Sequence, residues 1–136
     1  MKLNLECIRS VLLTLEDKLV FTVKEGSLEK NCLSLNQLCD VMPDYSKPDI
    51  FYSLYNLDQA GYVNISVRWA SGEVYSCIVS GMTYSGHEFL EEIRDSSKWG
   101  KVKSAASAVR DYSLSAISSI AEGVTSAAIS AYFSKM

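Results

Sequence analysis

Apolar residues recur at steps of three and four along much of the chain, and this spacing predicts helices. The first helix is expected over residues 3–16. A second is expected at 34–41, where Ser34 and Gln37 have the spacing of a capping box, and a third at 47–60. Towards the C-terminus, further helices are expected at 83–94, 98–110 and 113–134.

Strands are expected between these helices. Apolar and polar residues alternate over 62–70, and a return strand is expected at 74–81 after a Gly-containing turn, so the two segments predict a β-hairpin. The apolar, β-branched run at 19–23 predicts another strand, and the polar stretch at 25–31 predicts a loop.

The predicted order is helix, strand, helix, helix and β-hairpin, which is the arrangement of a winged helix. We therefore predict an α+β winged-helix domain over residues 1–97 and a C-terminal helical extension over 98–136. In such a domain the helices at 34–41 and 47–60 form the helix-turn-helix, and the second of them is the recognition helix.

The C-terminal segment is unusual in composition, because 17 of its 33 residues from 104 to 136 are Ser or Ala. A narrow seam of small and apolar residues runs along its last helix and predicts self-association or docking onto the first domain. A membrane-surface helix is disfavoured because Ser replaces Lys and Arg on the polar side, and a frayed tail is the third alternative. The seam consists of Leu114, Ile117, Ala121, Val124, Ala128 and Ala131.

The charge is low and uneven. The chain has 13 Lys and Arg against 16 Asp and Glu. Residues 1–100 carry 9 basic and 14 acidic side chains, whereas residues 101–136 carry 4 basic and 2 acidic ones. Attraction to a polyanion must therefore depend on local groups, because the whole surface is not basic.

Candidate binding residues lie on the outward side of the predicted recognition helix and on the hairpin. Asn and Gln read adenine edges, Lys and Arg reach phosphates, and tyrosines are favoured in protein interfaces. Acidic neighbours such as Asp49 and Asp58 weaken the case for DNA, so a protein partner stays open, as does a role for some tyrosines at the edge of the core. The candidates are Tyr45, Lys47, Tyr52, Tyr55, Asn56, Gln59 and Arg68.

Two stretches of the chain resemble a known family. The segment GMTYSGHEFLEEIRD at 81–95, with Trp99 and Lys101 after it, and the opening MKLNLECIR resemble short bacterial, phage and prophage proteins grouped as domain of unknown function 2513. The segment LYNLDQAGYV at 54–63 resembles the same family's Leu-rich helix ending in Ala-Gly. The resemblance covers about residues 1–103 and implies a winged-helix fold and a phage or mobile-element context, with no assigned activity.

Within the 83–94 helix, Thr83 is expected to cap the start and Gly86 to let another element pack closely, because it has no Cβ. His87 is expected to be structural, with a switch or ligand role as the alternative. The acidic residues of this helix share one face and are expected to be solvated. They are Glu88, Glu91, Glu92 and Asp95.

No catalytic or metal-binding constellation is recognisable. The four cysteines are dispersed without a C-x-x-C pair, so we expect them to be reduced thiols of an intracellular protein. Neither a signal peptide nor an uninterrupted apolar run of 18 residues is visible, so we expect a cytoplasmic protein that needs no membrane, metal or cofactor.

The functional expectation is a phage- or prophage-type regulator without enzymatic activity, which binds DNA and forms a homo-oligomer through its C-terminal helix. The alternative is a protein-interaction module, such as a phage-encoded inhibitor of a host or anti-phage defence protein.

Overall fold

The computed structural model describes residues 1–134, which form a mixed α+β structure, so the predicted α+β class is confirmed. The helices are α1 (Leu5–Lys18), α2 (Leu35–Val41), α3 (Lys47–Gln59), α4 (Tyr84–Ile93), α5 (Ser96–Val109) and α6 (Leu114–Ser134). The strands are β1 (Phe21–Lys24), β2 (Ser27–Lys30), β3 (Leu33–Ser34), β4 (Val63–Ala70) and β5 (Glu73–Met82).

Each helix begins at a residue whose side-chain oxygen accepts a hydrogen bond from the backbone N–H three residues later. This satisfies one of the donors that a helix start leaves unpaired, and it explains why the helices begin where they do. The capping box predicted at Ser34 and Gln37 is present, as is the cap predicted at Thr83. The six capping residues are Asn4, Ser34, Ser46, Thr83, Asp95 and Ser113.

A three-stranded antiparallel sheet has the strand order β3-β5-β4. The β4–β5 hairpin turns at Ser71 and Gly72, which both have positive φ, as a two-residue type I′ turn requires. Two register shifts interrupt the β4–β5 ladder, and each leaves β5 with one extra residue, Ser80 near its end and Tyr75 near the turn.

The prediction for residues 19–31 was partly wrong. The strand expected at 19–23 is present and lies at 21–24, but residues 27–30, which were expected to be a loop, form β2 and pair with it. The turn between them consists of Glu25 and Gly26, both with positive φ, so this polar, Gly-containing stretch makes a tight hairpin. We call residues 21–30 the hairpin arm. The third strand of the main sheet is the two-residue β3.

One continuous core joins the N-terminal helices to the C-terminal ones. Ile8, Leu12 and Leu54 are fully buried in the same cluster as Trp99 of α5 and Ile117 of α6. The boundary predicted between residues 97 and 98 falls inside α5.

Helix α6 is only partly attached to this core. Its first half packs against α4 and α5, whereas residues 126–134, which we call distal α6, are all exposed. By length and composition alone α6 could cross a membrane, with a mean hydropathy of 1.2 in its most apolar window, of which 17% is buried in the fold. Ala, Ile, Val and Phe raise the mean hydropathy of α6, although its serines and other polar residues interrupt every apolar run.

Candidate binding surface

Helix α3 is amphipathic and packs its apolar side on α1. Its buried residues are Ile50, Ser53, Leu54 and Leu57. On the outer side, Lys47, Tyr55 and Gln59 are exposed, while Tyr52 and Asn56 are half-buried. Five of the seven candidate residues therefore lie on the outer or flanking part of one helix.

The two other candidates lie elsewhere. Tyr45 precedes α3, packs against the core and places its hydroxyl 3.1 Å from the Ser10 hydroxyl, so it contributes little to an outer surface. Arg68 is exposed on β4 of the hairpin. The structure brings this strand against α3, because the side chains of Phe51 and Trp69 meet edge to face with ring centroids 6.0 Å apart.

Several polar groups on this side already have partners within the protein. Lys47 Nζ donates to Asn36 Oδ1 at 2.8 Å, and Asn56 Nδ2 donates to the Tyr52 carbonyl at 2.8 Å. Asp58 Oδ1 accepts the Ile65 backbone N–H at 3.1 Å, so this carboxylate links the end of α3 to β4. Asp58 therefore stabilises the attachment of β4 to α3, but its negative charge remains on the helix that carries the candidate binding residues.

Sequence reasoning missed an aromatic cluster between α3 and the hairpin. Phe51 lies between Tyr55, at a centroid distance of 5.9 Å, and Trp69. Trp69 is 58% exposed and Tyr55 37%, so the cluster presents two aromatic side chains to solvent. Tyr75, the extra residue of the bulge opposite the Arg68–Trp69 step, is 77% exposed. We call Phe51, Tyr55 and Trp69 the aromatic face.

The available signal for this face was the position of Trp69 beside a Gly-containing turn. The alternation along β4 places Trp69 on the same side of the strand as Val63, and the contact of Trp69 with Phe51 agrees with that. On this side, however, the residues become more exposed towards the turn, from 1% at Val63 to 58% at Trp69, because the hairpin extends away from the body.

The seam on α6 divides into two parts. Leu114, Ile117 and Ala121 are buried and Val124 packs against the core, so these positions contact this chain's own α4 and α5. Ala128 and Ala131 belong to distal α6 and are exposed. Beside them, Ile129, Tyr132 and Phe133 expose more than half of their side chains.

The acidic helix α4 is not uniformly solvated. Glu91 pairs with Arg94, which also binds both carboxylate oxygens of Glu16, and Asp95 caps α5. Glu92, by contrast, is half-buried between α4 and α6, and burial, followed by the charges of Glu122 and Glu88, raises its pKa. His87 is exposed.

Among residues 1–134, no three His, Cys, Asp or Glu side chains lie close enough together to hold a metal ion. The four cysteines are free thiols. Burial raises the pKa of the Cys77 thiol to about 11, which makes it a poor nucleophile.

Comparison with known proteins identifies relatives but no function. The family model described as "Hypothetical protein (DUF2513)" matches residues 2–111. An "Uncharacterized protein" of Haemophilus influenzae is 31% identical over 127 residues, which cover 93% of this chain and 97% of the relative. No solved structure matches the chain.

Proposed function

Since the chain belongs to the DUF2513 family of hypothetical proteins, its function has to be inferred from its own surfaces, and we propose that it is a winged-helix regulator of phage or prophage type that binds duplex DNA in the cytoplasm and catalyses no reaction. The observation that carries this proposal is the packing of α3 against the β4–β5 hairpin.

The topology supports a winged helix. Helices α2 and α3 are consecutive, the β4–β5 hairpin follows directly, and β3 before α2 completes the sheet in the order β3-β5-β4. Proteins with a helix-turn-helix place the second helix in the major groove, and the hairpin then lies along the flanking backbone. The hairpin arm is an addition to this plan between α1 and β3.

The side chains on this surface supply a modest set of DNA contacts. Gln59 is exposed, and the Asn56 side-chain carbonyl accepts no hydrogen bond within residues 1–134, so both could contact base edges; Lys47 of α3 and Arg68 of β4 are the exposed cations that could contact phosphates. Two cations per chain neutralise about two phosphates, so binding is expected to be weak. Each neutralised phosphate contributes about 0.9 to the salt slope, which is the slope of the logarithm of the binding constant against the logarithm of the salt concentration. A dimer doubles the contacts and offsets the acidic neighbours.

The test is binding to random duplex DNA over a salt series, measured by fluorescence anisotropy. Arg68→Glu and Lys47→Glu should each weaken binding and reduce the salt slope by about 1. Lys101→Glu is the matched control, since it makes the same change in charge at an exposed site on α5. Absence of binding at low salt would refute the DNA proposal, and equal effects of all three variants would refute the docking surface.

The aromatic face favours a second candidate function, the binding of a protein partner. Exposed Trp and Tyr side chains are typical of the centres of protein interfaces, and this surface has more aromatic groups than cations. A photocrosslinking residue at position 75 should then give one discrete protein adduct in the bacterial host, and Trp69→Ala should abolish it. Absence of any discrete adduct in the protein that keeps Trp69, or an adduct that persists in Trp69→Ala, would exclude this alternative.

Self-association through distal α6 is part of the proposal. Because the first half of the seam is occupied within the chain, only Ala128 and Ala131 and the adjoining Ile129, Tyr132 and Phe133 remain for a second copy. The triple variant Ile129→Ser, Tyr132→Ser and Phe133→Ser should lower the mass measured by light scattering. Val109→Ser, which changes another exposed apolar residue, should not lower it. A full-length protein that is monomeric at all concentrations would refute association. Truncation at residue 103 is a poorer test, since it removes core residues such as Ile117.

A further inference from the structure

A cavity of about 230 Å³ lies between the hairpin arm and the body of the protein. Its apolar wall comes from the end of α1, the start of the arm and the end of β5. The residues of this wall are Leu15, Leu19, Val20, Phe21 and Met82. A cavity of about 150 Å³ accommodates benzene, so this one has room for a phenyl ring or a short acyl chain with a small polar head group.

The polar rim of the cavity is rich in uncommitted donors. The side chains of Lys30, Asn64 and His87 line it, and none of them hydrogen-bonds to another group in residues 1–134. Lys30 Nζ extends over Gly81, 3.7 Å from where a Cβ would stand. The one carboxylate on the rim, Glu16, has both oxygens bound by Arg94, so its charge is compensated.

The cavity therefore combines an apolar wall with a rim that favours negative charge. A lysine ammonium binds a carboxylate more strongly than it binds a neutral acceptor, and an imidazole N–H and an amide N–H add further donors. Small-molecule sites usually have this composition, an apolar cleft with a small number of polar groups that orient the ligand.

We propose that this cavity binds a small amphipathic carboxylate, with an aromatic or short acyl body against the apolar wall and the carboxylate at Lys30 and His87. The residues that line this cavity include none from α3 or the aromatic face, so the proposal does not depend on whether the protein binds DNA or another protein. Phe21, which is itself 69% exposed, joins the cavity to the arm, whose strand residues are all exposed. A two-stranded hairpin is marginally stable by itself, so an occupied cavity should also hold the arm more firmly.

The experiment is a titration of the full-length protein with phenylacetate, followed by amide NMR shifts. Saturable shifts are expected at residues 19–21, 80–82 and 87, with slower amide exchange in the arm. The neutral isostere phenylacetamide should bind at least tenfold more weakly, because it loses the charge-assisted hydrogen bond.

Matched variants of the arm complete the test. Lys30→Gln should weaken phenylacetate binding about tenfold. Lys24→Gln removes the same charge from the opposite face of the hairpin, where Lys24 pairs with Ser27, and should change the affinity less than twofold. Equal binding of acid and amide, equal effects of the two lysine variants, or no saturable shifts with phenylacetate would each overturn the proposal.

Discussion

Substitution of Gly86 by Ala is the sharpest test of how the fold is assembled. Gly86 lies in the first turn of α4, where that turn packs on the backbone that joins α3 to β4. A Cβ at this position would lie 2.0 Å from the Tyr62 carbonyl oxygen and 2.8 Å from Met82 Cγ. The methionine side chain can move, but the carbonyl belongs to the backbone.

The cost follows from what that carbonyl does. Tyr62 O accepts the Thr83 N–H at 3.0 Å, and the Thr83 hydroxyl in turn binds the Gly61 carbonyl and the Gly86 N–H. The oxygen would have to retreat by roughly 1.4 Å to reach the shortest ordinary contact distance of 3.4 Å. Overpacking costs about 1–3 kcal/mol and a strained or lost hydrogen bond about 1 kcal/mol, against a helix-propensity gain of at most about 1 kcal/mol. We expect a net destabilisation of about 1–3 kcal/mol.

The assay is urea unfolding followed by far-UV circular dichroism, with Gly100→Ala as the matched control. Gly100 lies in α5 with no atom within 4 Å of its would-be Cβ, so the same substitution there should stabilise the protein by up to about 1 kcal/mol. Opposite signs for the two variants are expected. If Gly86→Ala were as stable as the wild-type protein, the close approach of α4 to Tyr62 would be refuted.

Three further predictions follow from the environments of particular side chains. Iodoacetamide at about pH 8 should alkylate the exposed Cys32 and spare Cys77, because burial raises the pKa of the Cys77 thiol to about 11; equal labelling rates in peptide mass spectrometry would contradict this. Arg94→Met should lower the free energy of unfolding at neutral pH by about 0.5–1 kcal/mol. Hydrogen bonding from Arg94 holds the pKa of Glu16 below its ordinary value of 4.5, so this contribution is present above that value and is lost as pH falls through the lower folded pKa. Urea unfolding should therefore show the two proteins converging in acid, and a difference that does not depend on pH would refute the ion pair. Ser34→Ala should cost about 1 kcal/mol by removing the capping box, measured by the same unfolding assay; an unchanged midpoint would show that the cap contributes nothing.

The parts of the fold that the sequence predicts well are those where local chemistry and burial agree. The caps at Ser34 and Thr83 and the close approach at Gly86 follow from short-range rules and are confirmed. The apolar side of α3 is confirmed for the same reason, since its residues recur at helical steps and pack on α1.

The hairpin arm was missed because its strands have no buried side. All eight of its strand residues are exposed, so no alternation of burial distinguishes Ser27–Lys30 from a loop. The candidate surface was incomplete for a related reason. Whether an aromatic residue at a strand end is covered depends on how far the hairpin extends beyond the body, and no local pattern at Trp69 encodes that distance.

The division of the α6 seam could not be read from the sequence either. Leu114 and Ala131 stand on one continuous stripe, yet the first is buried and the second is exposed. The difference arises because α4 and α5 are shorter than α6 and cover only its first half.

The two bulges in β5 have a consequence for how this hairpin tolerates changes in length. Tyr75 and Ser80 are each one residue more than β4 needs at that point, so neither has a partner in the ladder. Loss of a single residue at either position would leave the remaining pairs facing the same neighbours, whereas loss elsewhere in the strand would turn every later side chain to the opposite face. The hairpin can therefore absorb a one-codon deletion at these two places and keep Trp69 on the side of Phe51.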